Sequence, residues 1–265
     1  MKLLSRLLFV LVICIITGCN SYKNVPYFKD ADPNGKTVSQ NNQLYDARIM
    51  PKDLLSITVS SSEPEAAAPY NQTVPTIYTT ENRSTYSQPL MQSYLVDNNG
   101  DIDFPILGKI HLGGMTKTEA EQYIGGLLKG SFKEPPIVTV RMINYKISVL
   151  GEVNKPSTFT IANEKVNIFE ALALAGDMTV YGRRDNVKLL REGVDGKKEI
   201  IALDLNKSDI IDSPYFYLQQ NDVLYIEPNK IKAKSSDIGQ TTSLWFSATS
   251  ILVSIASILV TILKK

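Results

Sequence analysis

Between residues 45 and 227 the chain alternates between two hydrophobic periods. Leu54, Ile57 and Val59 form a short strand-like run. Tyr94-Leu95-Val96 and Ile102-Asp103-Phe104 flank Asp97-Asn98-Asn99-Gly100, and Asn-Gly is a strong hairpin cue. The period then changes. Thr116 and Glu119 make a capping box, and Ala120, Tyr123, Ile124, Leu127 and Leu128 fall on one helical face, with Gly130 as its stop. Ile137, Val138, Val140 and Met142 return to strand spacing. A second cycle follows. Residues 146–151 read as a strand, and a short helix over 168–175 has Asn167 as N-cap, Glu170 three residues on and Gly176 as C-terminal cap. Strands are expected over 186–191, 199–205 and 223–227. The pattern predicts an α+β class with two small units, 43–143 and 144–229.

Three stretches lack this periodicity. Residues 19–42 are polar and read as a tether, with a turn at Pro33-Asn34-Gly35. Residues 61–92 are rich in Ser, Thr, Pro, Asn and Tyr and read as a long surface loop inserted in the first unit. Its Tyr70, Tyr78 and Tyr86 either stack on sugar rings or pack the loop down. Residues 230–242 read as a polar linker, basic through Lys230, Lys232 and Lys234.

Residues 243–263 are 21 positions without a charge. As a helix they would extend about 31 Å, enough to cross a bilayer core. Trp245 sits at one end as an interfacial aromatic, and Lys264 and Lys265 close the other. Ser243, Ser247, Ser250, Ser254, Ser257 and Thr261 are spaced by four, three, four, three and four, so they form one stripe. Leu244, Ile251, Leu252 and Ile258 are among the aliphatics on the other faces. A small-residue stripe suits either a tight helix–helix seam or a ring of helices around a wet lumen, and we favour the lumen. The hydroxyls also lower the total hydrophobicity. The segment could therefore pass an inner membrane and insert later.

At the other end, a basic start with Lys2 and Arg6 precedes the apolar run Leu11-Val12-Ile13-Cys14-Ile15-Ile16. The small pair Thr17-Gly18 then leads into Cys19. These are the parts of an export signal over 1–18. The junction resembles a bacterial lipobox, which implies a diacylglycerol and an N-acyl group on Cys19 and no other cofactor. The competing reading, an N-terminal transmembrane helix, is short of the ~20 apolar residues a span needs. Loss of the signal leaves no free thiol for a disulfide or a thiolate metal site. His111 is the sole histidine, so a multi-histidine zinc site is excluded. The chain has 28 basic and 27 acidic side chains, and losing Lys2 and Arg6 makes the mature chain slightly acidic. Such a balance gives no basic stripe for nucleic acid.

The order of these pieces resembles the Wza-type outer-membrane polysaccharide export lipoproteins. Residues 45–59 (YDARIMPKDLLSITV) and 94–140, especially VDNNGDIDFPILGKIHLGGMTKTEAEQYI, are similar to their polysaccharide export domain. ISVLGEVNKPSTFTI, IFEALALAGDMT and Asn221-Asp222-Val223-Leu224-Tyr225-Ile226 are similar to one soluble-ligand-binding β-grasp domain. The family often has Gly where Lys52, Ser157 and Asp177 stand, so no left-handed glycine conformation is expected at these sites. The resemblance implies a homo-oligomeric ring, octameric in relatives. Its terminal helices would cross the outer membrane and its domains would lie in the periplasm. It also implies an inner-membrane partner, a polysaccharide co-polymerase or tyrosine kinase, and a capsular polysaccharide or exopolysaccharide as cargo.

Catalysis finds little footing. Asp97, Asp101 and Asp103 cluster in the hairpin, and Asp101 and Asp103 share a strand face, but solvated turn and edge roles account for them. A calcium loop needs a longer array of oxygen ligands. Gly113-Gly114 and Gly125-Gly126 lack the strand-loop-helix phosphate fingerprint. The expectation is an export channel rather than an enzyme. The alternative is a lipid-anchored periplasmic glycan-binding adaptor without a pore of its own.

Overall fold

The alternating run near residue 54 forms β1 (Leu54–Ser60) in the computed structural model, with Leu55, Ile57 and Val59 buried. The structure describes residues 25–31, 45–74, 90–193 and 195–237, together with Trp245, 247–251, Ser254, Ile255, Ile258 and Ile262, which are helical. After β1 come a single helical turn α1 (Pro64–Ala67), β2 (Thr73–Val74), β3 (Leu90–Met91) and β4 (Ser93–Leu95). Then follow β5 (Asp101–Phe104), β6 (Gly108–His111), α2 (Lys117–Leu128) and β7 (Ile137–Met142). The first sheet has the order β4-β1-β7 and is antiparallel throughout. Its inward row pairs Ile57 with Val140 and Val59 with Val138. α2 covers it with Ala120, Ile124 and Leu128, while Tyr123 and Leu127 stay in solvent, a narrower face than the spacing predicts. Its capping box is complete: the Glu119 amide donates to Thr116 Oγ1 at 3.2 Å, and the Thr116 amide donates to Glu119 Oε2 at 2.8 Å.

The second unit holds β8 (Lys146–Gly151), β9 (Ser157–Thr160), α3 (Ile168–Leu174), β10 (Gly182–Glu192), β11 (Lys198–Leu203) and β12 (Val223–Pro228). The sheet order is β11-β10-β12-β8-β9. β12 runs parallel to β8, and the other pairs are antiparallel. The class is therefore mixed α+β. Gly151 takes φ +93°, and a Cβ there would overlap the Ile226 carbonyl, so the close pairing of β8 with β12 requires glycine. α3 ends in a Schellman motif. The Gly176 amide donates to Ala173 O at 3.0 Å and the Asp177 amide to Leu172 O at 2.7 Å.

Polar and aromatic contacts brace the second unit and tie it to the first through Tyr45 and Leu54. Arg191 donates to Asp222 from Nη2 at 2.6 Å and from Nε at 3.1 Å, with both residues nearly inaccessible. The Tyr145 hydroxyl donates to Leu218 O at 2.6 Å, and Tyr45 stacks on Tyr217 at 4.7 Å. Leu54 N donates to Asn144 Oδ1 at 3.0 Å, and Gln220 Nε2 donates to Asn144 O at 2.9 Å. Two glutamates occupy outward amides of β7: Val140 N donates to Glu121 at 3.0 Å and Met142 N to Glu164 at 2.8 Å. Carboxylates thus cap an edge that would otherwise offer itself to another strand.

Several expectations are corrected. The turn at 97–100 forms, but β4 pairs with β1 and β5 pairs with β6, so the predicted hairpin is split between two sheets. The loop at 61–92 contains α1 and the β2–β3 pair, with 75–89 outside the described residues. Lys52 and Asp177 do adopt left-handed backbone, with φ 72° and 68°, whereas Ser157 begins β9 in extended form. The linker expected at 230–242 begins as a helix, α4 (Lys230–Asp237). Among the described residues no helix is long and apolar enough to cross a membrane, and most of the aliphatic positions of 243–263 lie outside them.

Candidate functional site

Of the tether expected at 19–42, residues 25–31 dock on the second unit, and the rest lies outside the described residues. The Phe28 amide donates to Leu205 O at 3.3 Å, and the Lys29 amide to Asn206 O at 2.6 Å. Tyr27 and Phe28 pack on Phe169 at 5.4 and 4.7 Å between ring centroids, contacts worth about 0.5–1.5 kcal/mol each beyond burial. The Tyr27 hydroxyl donates to Asp177 Oδ1 at 2.5 Å, and the Arg184 guanidinium lies 5.1 Å from the ring. Burial and the Asp177 carboxylate together push the Tyr27 phenol above its ordinary range. The signal for this arm was an aromatic pair in a polar stretch, which local periodicity does not register.

The loop that receives the arm also receives α4. Arg184 donates to the carbonyls of Thr179 and Met178 at 3.3 and 3.4 Å. The Thr179 hydroxyl donates to Glu152 at 2.8 Å, and Lys232 approaches the same carboxylate at 4.0 Å. Asn229 N donates to Tyr181 O at 2.7 Å. The arm and α4 therefore contact the same loop of the second unit.

Of the predicted pore-lining residues, Ser247, Ser250 and Ser254 are exposed on helical backbone, as is Trp245. Ser250 Oγ donates to Ser247 O at 2.8 Å and Ser254 Oγ to Ser250 O at 2.9 Å. Their protons are thus spent on the helix, and their lone pairs face outward. Cys19, Ser243, Ser257, Thr261, Lys264 and Lys265 lie outside the described residues.

The acidic hairpin is built for structure. Asp97 Oδ1 accepts the amides of Asn99 and Asp101 at 2.8 and 2.9 Å, and Lys109 donates to Oδ2 at 3.3 Å. These bonds, the Asp101 amide foremost, hold the Asp97 carboxyl below the usual carboxylate range. His111 Nδ1 sits 2.8 Å from Asp101 Oδ1. Asp101 and Asp103 point from one face of β5 in the same direction, so they do not oppose each other across a sugar. Of the loop tyrosines, Tyr70 is a core residue between Phe104 and Phe132, while Tyr78 and Tyr86 lie outside the described residues. An open groove beside α3 is lined by Ile161, Asn163, Lys165, Glu170 and Leu174.

One buried carboxylate stands apart. Asp53 is inaccessible, accepts Met50 N at 2.8 Å through Oδ2, and has no partner for Oδ1 among the described residues. Burial raises its pKa from 3.8 to about 6, against the lowering by the Met50 amide and Gln220.

Comparison with known proteins gives these features a context. Residues 41–143 match the family described as polysaccharide biosynthesis/export protein. The chain is 30% identical over 188 residues to the EPS I polysaccharide export outer membrane protein EpsA of Ralstonia solanacearum, covering 69% of this chain and 48% of that protein. It is 31% identical over 184 residues to the protein of the same description from Ralstonia nicotianae, covering 68% and 47%. The chain thus spans about half the length of these relatives. Both are named as polysaccharide export outer membrane proteins. Residues 41–143 are a polysaccharide biosynthesis/export domain, and the chain is a relative of the Wza-type polysaccharide export proteins.

Proposed function

We propose that the protein is a passive conduit for capsular polysaccharide or exopolysaccharide, formed by a ring of identical subunits in the outer membrane. The export domain at 41–143 is the observation that carries this reading. The relatives' names supply the cargo class and the membrane. The second unit is read as a β-grasp domain, and its strand order, with a parallel pair at the centre, supports that. Both units would lie in the periplasm, facing an inner-membrane co-polymerase or tyrosine kinase.

Residues 243–263 would cross the bilayer as a helix, and Cys19 would carry the acyl groups. The mooring of the arm and α4 on one loop supports this arrangement, because both anchors can then enter the same leaflet. Six residues from Val25 back to Cys19 reach at most about 20 Å. An acyl anchor plus a spanning helix makes attachment effectively permanent.

Transport by this route needs no covalent step. Serine oxygens along the bore would accept weak, exchangeable hydrogen bonds from polymer hydroxyls and leave no tight site where a chain would stall. Ser250→Leu with Ser254→Leu replaces those acceptors with a hydrophobic constriction, which closes a pore by dewetting. The double variant should still insert and assemble, yet lose ion conductance in planar bilayers and polymer export in cells. Unchanged conductance from a correctly assembled ring would refute the lumen assignment.

A further inference from the structure

The loop that moors the arm leaves apolar side chains in solvent. Val180 is 65% exposed and Tyr181 41%, and Ile231 on the first turn of α4 is 55% exposed. Lys232 Nζ lies 5.3 Å from the Tyr181 ring centroid, so loop and helix form one surface. Lys230 and Lys234 on α4 and Lys155 on the adjoining loop are exposed around it. Of the acids beside the loop, Glu152 accepts the Thr179 hydroxyl, and Asp177 accepts the Tyr27 hydroxyl and the Met178 amide; α4 carries three lysines against one acid, Asp237 at its end.

Aliphatic tips and a tyrosine set among lysines match the chemistry of a membrane interface. Tyrosine settles at headgroup level, and lysine meets anionic phosphate while its stem covers apolar surface. We propose that loop 177–182 and α4 rest on the anionic phospholipid surface of the membrane that the tail enters. This rests on reading 243–263 as a membrane segment. The five residues 238–242 span at most about 18 Å, which keeps α4 close to the point of entry. Charge selects lipid over a second copy of the same patch, because two such surfaces would set lysine against lysine.

Trp245 is the sole tryptophan, which makes a direct test available. The variant Trp245→Phe with Tyr181→Trp carries one indole, at position 181. The full chain is reconstituted in phosphatidylethanolamine–phosphatidylglycerol vesicles containing a lipid nitroxide-labelled near its headgroup, with the wild-type chain and its Trp245 as reference. The indole at 181 should be blue-shifted and quenched. Adding Lys230→Glu and Lys234→Glu, or replacing the lipid with neutral phosphatidylcholine, should remove most of that quenching. If Trp245 is quenched and the indole at 181 is not, the surface assignment is overturned and the membrane segment stands. A blue shift without quenching also overturns it, because protein then covers the loop. Quenching that ignores both lysine reversal and lipid charge overturns the anionic-headgroup assignment. If neither indole is quenched, the membrane reading itself fails and takes the surface with it.

Discussion

Asp53 is the residue at which burial and charge conflict most openly. Its ordinary pKa is 3.8, and burial raises it to about 6 in the folded chain. The folded state thus holds the proton more tightly than the unfolded state. The stability that this contributes is complete below pH 4 and is lost as pH rises through 6. The shift corresponds to about 3 kcal/mol at most. Asp53→Asn cannot ionise and still offers an oxygen to the Met50 amide. Denaturation of the full chain in detergent should show the variant gaining on the wild type between pH 4 and pH 6, by about 2–3 kcal/mol, and holding that lead at pH 7.5. Parallel stability profiles would contradict the assignment. Little of this was legible in the sequence, where no local cue marks Asp53 as buried. Lys52 shows the same limit. A lysine where relatives carry glycine suggests ordinary backbone, yet φ is 72°, and the turn between Met50 and Asp53 imposes it.

At the scale of elements, local signals were read well and partners were not. Both capping boxes and the C-terminal cap of α3 form at the residues expected, because each is decided within a few positions. The Asn-Gly turn also forms, but β4 takes its partner from Leu54, Leu55 and Ser56, far earlier in the chain, and no local cue encodes that choice. The arm at 25–31 was missed for the same reason, since its contacts lie some 150 residues away. The Arg191–Asp222 pair illustrates how two elements depend on each other. Burial raises the Asp222 carboxyl, and the Arg191 guanidinium pulls it back. Arg191→Met strands a buried acid and should cost about 3–5 kcal/mol in a chemical denaturation curve. Pairing it with Asp222→Asn should restore much of that, since the Gln219 amide keeps its acceptor. A loss below about 1 kcal/mol for the single variant would show that the pair is not holding β10 to the 217–222 turn.

For the whole molecule, the structure supplies the two folded units, and the ring is the reading built on them. The two units share polar bonds from the Tyr45 hydroxyl to Leu218 O and from Leu54 N to Asn144 Oδ1, which favours their moving as one block. The arm and α4 are moored on one loop of that block. A ring of such blocks would gather all its anchors on one side, with the terminal helices converging on the axis. The aliphatic stripe at Ile251, Ile255, Ile258 and Ile262 is exposed in the single chain and would turn to lipid or to a neighbouring helix. The most direct test is electron-microscopic imaging of the full-length acylated protein extracted in detergent. The account predicts a closed ring with a central bore surrounded by the terminal helices. Monomers or dimers without a bore would contradict it.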